Sequence, residues 1–100
     1  SNFALEYFVK KNINDNLILL SINKSVILNE NFLKQPSEIV FRSFSEVIQR
    51  VGKKNSYSRG SKVENLINYL RSTKNVKKKT LSGCIIQKFE KSVIISPEIT

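Results

Sequence analysis

The sequence predicts an α+β domain in which a small antiparallel sheet, built from two hairpins, packs against two main helices and a short N-terminal helix. Two observations predict this fold. Short segments rich in β-branched residues occur in pairs towards both ends of the chain, and two longer segments between them carry apolar residues at the helical period. Strands, then helices, then strands are typical of the α+β class. A length of 100 residues suits one domain, residues 1–100, and Ser1 and Asn2 are set aside because they resemble a cloning remnant.

The N-terminal part begins with a short helix over residues 3–13, which an Asn/Asp-rich turn at residues 12–16 is expected to end. Residues 17–22 and 26–28 then have the composition of two short strands around a turn at residues 23–25. This hairpin supplies the first half of the predicted sheet.

Two amphipathic helices are predicted in the middle of the chain. Pro36 opens the first, which runs to about Val51, and Gly52 suits the left-handed position that ends a helix. The second begins at Ser61, where Ser61 and Glu64 have the spacing of a capping box. The apolar stripe of the first helix consists of Val40, Phe44, Val47, Ile48 and Val51.

The closing segment is predicted to be a second hairpin. Residues 84–89 and 93–95 read as strands around a turn at residues 90–92. A run of three lysines at residues 77–79 is expected to precede the first of these strands.

Positive charge is concentrated in one part of the chain. Residues 50–91 carry twelve lysine and arginine side chains against two glutamates, whereas residues 1–49 hold five cations and five anions. A confined excess favours a surface that binds a polyanion, because it concentrates positive potential where phosphates would lie. A well-solvated surface without a binding role is the alternative, and charge alone does not separate the two.

Several residue types that catalysis commonly needs are missing. The chain has no histidine and one cysteine, which excludes the commonest general base and a structural zinc site. Its three glycines are too far apart to form a phosphate-binding glycine loop. No segment is apolar for long enough to cross a bilayer, and the single cysteine fits a cytoplasmic setting. We therefore expect a cytoplasmic domain that does not catalyse a reaction alone.

The residues predicted to contact RNA form two groups, one in and beside the loop between the helices and one in the lysine run. Such cations neutralise phosphates and position the RNA without reading its sequence. Arg59 suits a bidentate phosphate contact, with an ion pair as the structural alternative. Tyr57 is a candidate for stacking on an exposed base, unless it only covers its loop. For the lysine run, the alternative is a solvated linker. The predicted RNA-contacting cations are Lys53, Lys54, Arg59, Lys62, Lys77, Lys78 and Lys79.

Three further residues, Arg42, Gly83 and Cys84, are predicted to be structural. Arg42 lies four residues from both Glu38 and Glu46, a spacing that favours ion pairs on one helix face. Cys84 follows Gly83 at the start of a strand and is expected to behave as a small buried hydrophobe, since no histidine is present to activate it.

The order of these features resembles one known family. Residues 36–42 (PSEIVFR) lead into an apolar-faced helix that ends at Val51 and Gly52, and a basic loop with Arg59 and Gly60 follows. A second helix, residues 80–84 (TLSGC) and the closing hairpin complete the pattern. In this order and spacing, residues 17–98 resemble the region C-terminal to the catalytic domain of bacterial tRNA(Ile)-lysidine synthetases.

The resemblance implies a function for the chain and for its parent enzyme. The parent would use ATP and magnesium to ligate lysine to the wobble cytidine of a minor isoleucine tRNA, through a catalytic domain of the PP-loop type. The Ser-Gly-Gly-x-Asp-Ser motif of that domain is absent from these residues. The chain would then be the substrate-binding domain, with the tRNA and the catalytic domain of the same chain as partners.

A second interpretation belongs to another class of function. A basic protein–protein interaction or dimerisation domain, including a homodimer, would have the same charge distribution and the same lack of catalytic residues. Its positive surface would contact an acidic protein, and it would show no preference for RNA.

Overall fold

The computed structural model describes residues 2–20, 23–53 and 60–98. Three α-helices and five strands form within these residues, with a short 3₁₀ turn at Phe32–Lys34. In chain order they are α1 (Phe3–Asn16), β1 (Leu17–Leu19), β2 (Val26–Leu28), α2 (Ser37–Gly52), α3 (Gly60–Ser72), β3 (Asn75–Leu81), β4 (Cys84–Phe89) and β5 (Ser92–Pro97). The predicted α+β class is confirmed.

The strands form one antiparallel sheet in the order β1-β2-β5-β4-β3. The N-terminal hairpin consists of β1 and β2, and β3, β4 and β5 form a three-stranded meander. The pairing of β2 with β5, in which Ile27 lies opposite Ile94, joins the two into one sheet. Because neighbouring strands run in opposite directions, the β1–β2 turn, the β3–β4 turn and the end of β5 lie at the same end of the sheet. We call this end the upper end, and the end with the β4–β5 turn the lower end.

One face of the sheet forms the core with the helices. Leu28, Ile86 and Ile95 are fully buried there, and α2 contributes the fully buried ring of Phe44. The alternation of burial along β2, β4 and β5 follows from the two-residue period of a strand. The apolar stripe of α2 is buried as its helical spacing predicts.

The structure corrects the predicted end of the first helix. α1 continues to Asn16, through residues that were expected to form a turn. The side-chain amide of Asn12, which is almost fully buried, donates to the backbone carbonyl of Phe32 over 3.3 Å, and Asn16 donates to Asn12 over 2.8 Å. These contacts hold the two asparagines in a helix, where their intrinsic preference for turns is overridden.

A second correction concerns the lysine run, which precedes β4 as expected but lies within a further strand that the sequence did not predict. Residues 77–79 belong to β3, the edge strand that pairs with β4. This strand was missed because exposed lysines hide the alternation of apolar residues by which a strand is usually identified.

The helix ends also differ from expectation. The left-handed residue after α2 is Lys53, with φ 54° and ψ 33°, and Gly52 is the last helical residue. Gly52 is needed for space, since a Cβ there would lie 2.1 Å from the carbonyl oxygen of Ser82. α3 begins at Gly60, so Ser61 lies inside its first turn and not at the N-cap. Within the described ranges, no helix is both long and apolar enough to span a bilayer.

Candidate nucleic-acid interface

The lysine run is interrupted by a β-bulge. Val76 pairs with Lys88 and Lys79 pairs with Ile86, so Gln87 alone faces both Lys77 and Lys78. Two residues opposite one is the pattern of a bulge, which shifts the alternation of side chains beyond it.

The bulge separates Lys79 from its neighbours. Its pairing partner Ile86 belongs to the buried, helix-facing row of the sheet. On that side, the amine of Lys79 lies 4.9 Å from the ring centroid of Tyr69 in α3. A cation–π contact at such an exposed position contributes about 0.5–1 kcal/mol. Lys79 therefore stabilises the packing of β3 beside α3, whereas the two lysines of the bulge do not share this contact.

Lys77 and Lys78 are exposed, and neither forms an ion pair with a carboxylate of the described residues. Both charges are thus available to a polyanion. Their position on an edge strand also has a structural consequence, since lysines and bulges at a sheet edge discourage pairing with a strand of another molecule.

A second cationic group lies at the upper end of the sheet. Lys53 follows α2, and Gly52 places the helix end against the β3–β4 turn. The side chain of Lys24 lowers the pKa of Lys53, because the neutral amine of Lys53 can accept a hydrogen bond from Lys24 and because the two positive charges repel each other. Two positive charges about 4 Å apart repel each other by about 1 kcal/mol even in water. An anion that binds between them reduces this repulsion, so the pair favours anion binding. We call Lys24 and Lys53 the upper lysine pair.

Lys24 was missed by sequence reasoning. It belongs to the part of the chain with no net charge, and nothing in its immediate sequence indicates an interface. The available signal was its place in the predicted turn at residues 23–25. In the structure, this turn lies between β1 and β2, and Lys24 has a positive φ of 58° there. Sheet order was also needed, because only the topology places this turn at the end where α2 stops.

The two cationic groups are connected through the β3–β4 turn, against which α2 ends. Ser82 follows β3 at the upper end, four residues after Lys78. At the rise of a strand this separation is about 13 Å. The contact between Gly52 and Ser82 connects the upper lysine pair to the end of the strand that carries the bulge.

Lys62 is not brought to the same place by any described contact. It is exposed in the first turn of α3, and the neighbouring Gly60 packs against the ring of Phe41. Phe41 lies eleven residues before Gly52 in α2, a separation of about 16 Å along the helix axis. The predicted positions Lys54, Tyr57 and Arg59 lie outside the described residues.

Most other cations of the basic segment are engaged within the domain. Arg50 contacts Glu46 at 2.7 Å, and Lys74 and Lys91 lie near Glu90 and Glu30. Arg71 donates to the backbone carbonyl of Leu33, and Lys88 donates to those of Leu70 and Thr73. Among the described cations of residues 50–91, those with no carboxylate partner and no backbone acceptor are Lys53, Lys62, Lys77, Lys78 and Lys79. Since Lys79 contacts Tyr69 and Lys62 lies apart, the candidate interface consists of the bulge lysines and the upper lysine pair.

The residues predicted to be structural take part in contacts within the domain. Arg42 donates through Nε to a carboxylate oxygen of Glu38 at 2.7 Å. Ser82 and Gly83 have φ values of 50° and 79°, the two positive angles that a type I′ hairpin turn requires. The carbonyl of Gly83 accepts a hydrogen bond from the backbone N–H of Glu98 over 2.8 Å.

Cys84 is fully buried beneath α2. Its thiol donates to the carbonyl oxygen of Ile48, with 3.2 Å between sulfur and oxygen. Burial raises the pKa of the Cys84 thiol to about 11 from its usual value of 9.0. The thiol is thus protonated at neutral pH and has no nucleophilic character there.

This pKa predicts a change in stability at alkaline pH. Above pH 9.0 the thiol ionises in the unfolded chain but stays protonated in the folded domain until about pH 11. Ionisation then favours the unfolded state, so the contribution of Cys84 is complete below pH 9.0 and is lost as the pH rises to about 11. Thermal unfolding of the wild type and of Cys84→Ala across this pH range measures this contribution. The melting temperature of the wild type should fall more steeply with rising pH than that of the variant. Parallel curves would contradict the prediction, since the lysines titrate in both proteins.

No protein-family model, curated protein or solved structure matches this chain.

Proposed function

We propose that this chain is the tRNA-binding domain of a tRNA(Ile)-lysidine synthetase and that it positions the tRNA through lysine contacts with phosphates. The observation that carries the RNA-binding part is the presence of two cationic groups without a carboxylate partner among the described residues, Lys77 with Lys78 and Lys24 with Lys53. The identity of the parent enzyme rests on the sequence resemblance of residues 17–98.

The arrangement suits the backbone of a folded RNA. Four amines, which lie in the β1–β2 turn, after α2 and on β3, neutralise phosphates and release their condensed counterions, which supplies binding free energy. An RNA stem has a deep and narrow major groove, so a domain of this kind recognises shape, phosphates and 2′-hydroxyls rather than base edges. The domain therefore fixes the orientation of the tRNA, and sequence discrimination belongs to other contacts.

The chemistry of the proposed reaction belongs to the catalytic domain of the same parent chain, in the cytoplasm. ATP and magnesium would be bound there, together with the lysine that is ligated to the wobble cytidine of the minor isoleucine tRNA. The role of the present residues is to hold the tRNA so that the cytidine reaches that domain.

A salt series tests RNA binding directly. We expect the chain to bind the minor isoleucine tRNA with an affinity that falls steeply with salt, with a logarithmic slope of about −3 to −4 if all four amines contact phosphates. Filter binding or fluorescence anisotropy measures it, and polyglutamate and an unrelated tRNA serve as competitors. The absence of a salt slope, or equal competition by polyglutamate, would exclude the proposal.

One observation favours the second candidate, a basic protein–protein interaction domain. Large apolar side chains stay exposed outside the core: Ile18 is 63% exposed, Phe89 58% and Phe3 82%. Exposed apolar residues of this size are common at protein interfaces. A partner with acidic and apolar groups fits better than a second copy, because the net charge of +9 opposes self-association. Preference for polyglutamate over tRNA in the same series would favour this candidate.

A further inference from the structure

A cavity of about 510 Å³ opens at the lower end of the sheet. It lies where the C-terminus of α3, the β4–β5 turn and the segment before α2 meet. Its volume falls within the range of roughly 300–1,000 Å³ that is usual for small-molecule sites. It is remote from the upper lysine pair, which is at the opposite end of the sheet.

The lining of this cavity is strongly positive. Four cations contribute to it against two carboxylates, which leaves an excess of two positive charges. The cations come from three separate parts of the chain, the segment before α2, the end of α3 and the β4–β5 hairpin, so the fold brings them together. The charged lining residues are Glu30, Lys34, Arg71, Lys88, Glu90 and Lys91.

Two of the cations are fixed by backbone carbonyls. Arg71 directs Nε and Nη2 to the carbonyl oxygen of Leu33 at 3.0 and 2.8 Å, and its Nη1 has no acceptor among the described residues. The amine of Lys88 donates to the carbonyls of Leu70 and Thr73 at the end of α3. An ammonium group has three N–H donors, so one remains. Both groups are therefore held in place with donors to spare.

The other two cations converge on a single oxygen. Oε2 of Glu30 lies 3.6 Å from the amine of Lys34 and 3.7 Å from that of Lys91. Both distances exceed the 2.7–3.2 Å typical of an N–H···O hydrogen bond, so neither amine is saturated. The carboxylate of Glu30 thus shows that an oxyanion fits between the two lysines, and it competes with any anion from outside.

We propose that this cavity binds a terminal phosphate group, a dianion carried either by a small phosphorylated molecule or by the 5′ end of an RNA. A dianion matches the excess of two positive charges, whereas a backbone phosphodiester carries only one negative charge. The fixed donors of Arg71 and Lys88 and the mobile amines of Lys34 and Lys91 provide the oxygen contacts of such a group. Binding here does not depend on the RNA interface proposed above.

Inorganic phosphate is the first probe. Titrated at constant ionic strength against chloride and followed by backbone amide NMR, it should shift the amides of residues 30–34 and 90–91 to saturation. The double variant Lys34→Gln/Lys91→Gln should weaken binding about tenfold, as loss of two charged contacts implies. Glu30→Gln should strengthen it about threefold, because the competing carboxylate is removed.

Matched variants separate the site from overall charge. Lys10→Gln/Lys62→Gln removes two exposed lysines that do not line the cavity, and Glu64→Gln removes one exposed carboxylate on α3. Neither should change the phosphate affinity. Shifts spread over the whole surface, or equal effects of the cavity and control variants, would overturn the proposal.

A second arm identifies the source of the phosphate. One RNA hairpin is compared with and without its 5′-phosphate in wild type and in Lys34→Gln/Lys91→Gln. If the wild type, but not the double variant, binds the phosphorylated hairpin more tightly than the unphosphorylated one, the cavity binds an RNA end. If the wild type binds both hairpins equally while inorganic phosphate still binds, the cavity belongs to a small phosphorylated molecule. The phosphate titration contains no RNA, so its result does not depend on the salt series. A failure of the phosphate site therefore leaves the proposed RNA interface untouched, and the reverse is also true.

Discussion

Replacing Gly52 by alanine is expected to lower the free energy of unfolding by about 2–3 kcal/mol, the cost of forcing an atom into a filled site. The added Cβ would lie 2.1 Å from the carbonyl oxygen of Ser82 and 3.1 Å from Sγ of Cys84. Neither neighbour moves easily, because Ser82 belongs to a tight turn and Cys84 is fully buried. Helix propensity alone predicts the opposite sign, a gain of about 0.5–1 kcal/mol for alanine over glycine.

Urea unfolding of wild type and variant measures this difference. Lys53→Gly is the matched control at the next position, where φ is 54° and glycine adopts that conformation without strain. It should leave stability unchanged or raise it by up to about 1 kcal/mol. A Gly52→Ala protein as stable as the wild type would show that α2 does not end against the β3–β4 turn, and the upper lysine pair would then lose its connection to β3.

The fold was largely predictable where one local pattern decides the structure. The stripe of α2 repeats at the helical period and is buried as expected, since burial of an amphipathic face dominates helix stability. β4 and β5 are short, β-branched and joined by a tight turn, so their pairing needed no further information. In each case the residues that determine the element lie within it.

The wrong predictions concern elements whose structure depends on residues that are distant in the sequence. β3 has Val76 as its single buried residue, and it is a strand because β4 supplies hydrogen-bonding partners along its length. Asn12 and Asn16 remain helical because of a contact with Phe32, which sequence spacing does not indicate. These elements depend on tertiary contacts, to which local propensity is a weak guide.

The candidate site was less predictable than the fold. The sequence indicated which segment carries the positive charge but not where each side chain would lie. The bulge opposite Gln87 sends Lys79 to Tyr69, and the sheet order places Lys24 beside Lys53. Similarly, the cavity at the lower end combines cations that sequence analysis did not group. Charge composition therefore predicts a class of ligand more readily than an interface.

Removal of both bulge lysines, Lys77→Gln/Lys78→Gln, is expected to reduce the salt slope of tRNA binding by about 2, one unit for each phosphate contact that is lost. The control Arg50→Gln/Lys74→Gln removes the same total charge from residues already close to Glu46 and Glu90. Because those charges are partly compensated, the control should change the slope by less than about 1. Fluorescence anisotropy across a salt series measures both variants under identical conditions.

Lys79→Gln distinguishes the two sides of the bulge. Since its amine lies over Tyr69, this variant should lose about 0.5–1 kcal/mol of folding stability and leave the salt slope nearly unchanged. Gel filtration over a range of concentrations is needed beside it, because removing lysines from an edge strand can promote self-pairing and mimic a loss of RNA affinity. If all three lysines lower the slope equally in monomeric protein, the RNA responds to overall charge, and the division of the run by the bulge has no role in binding.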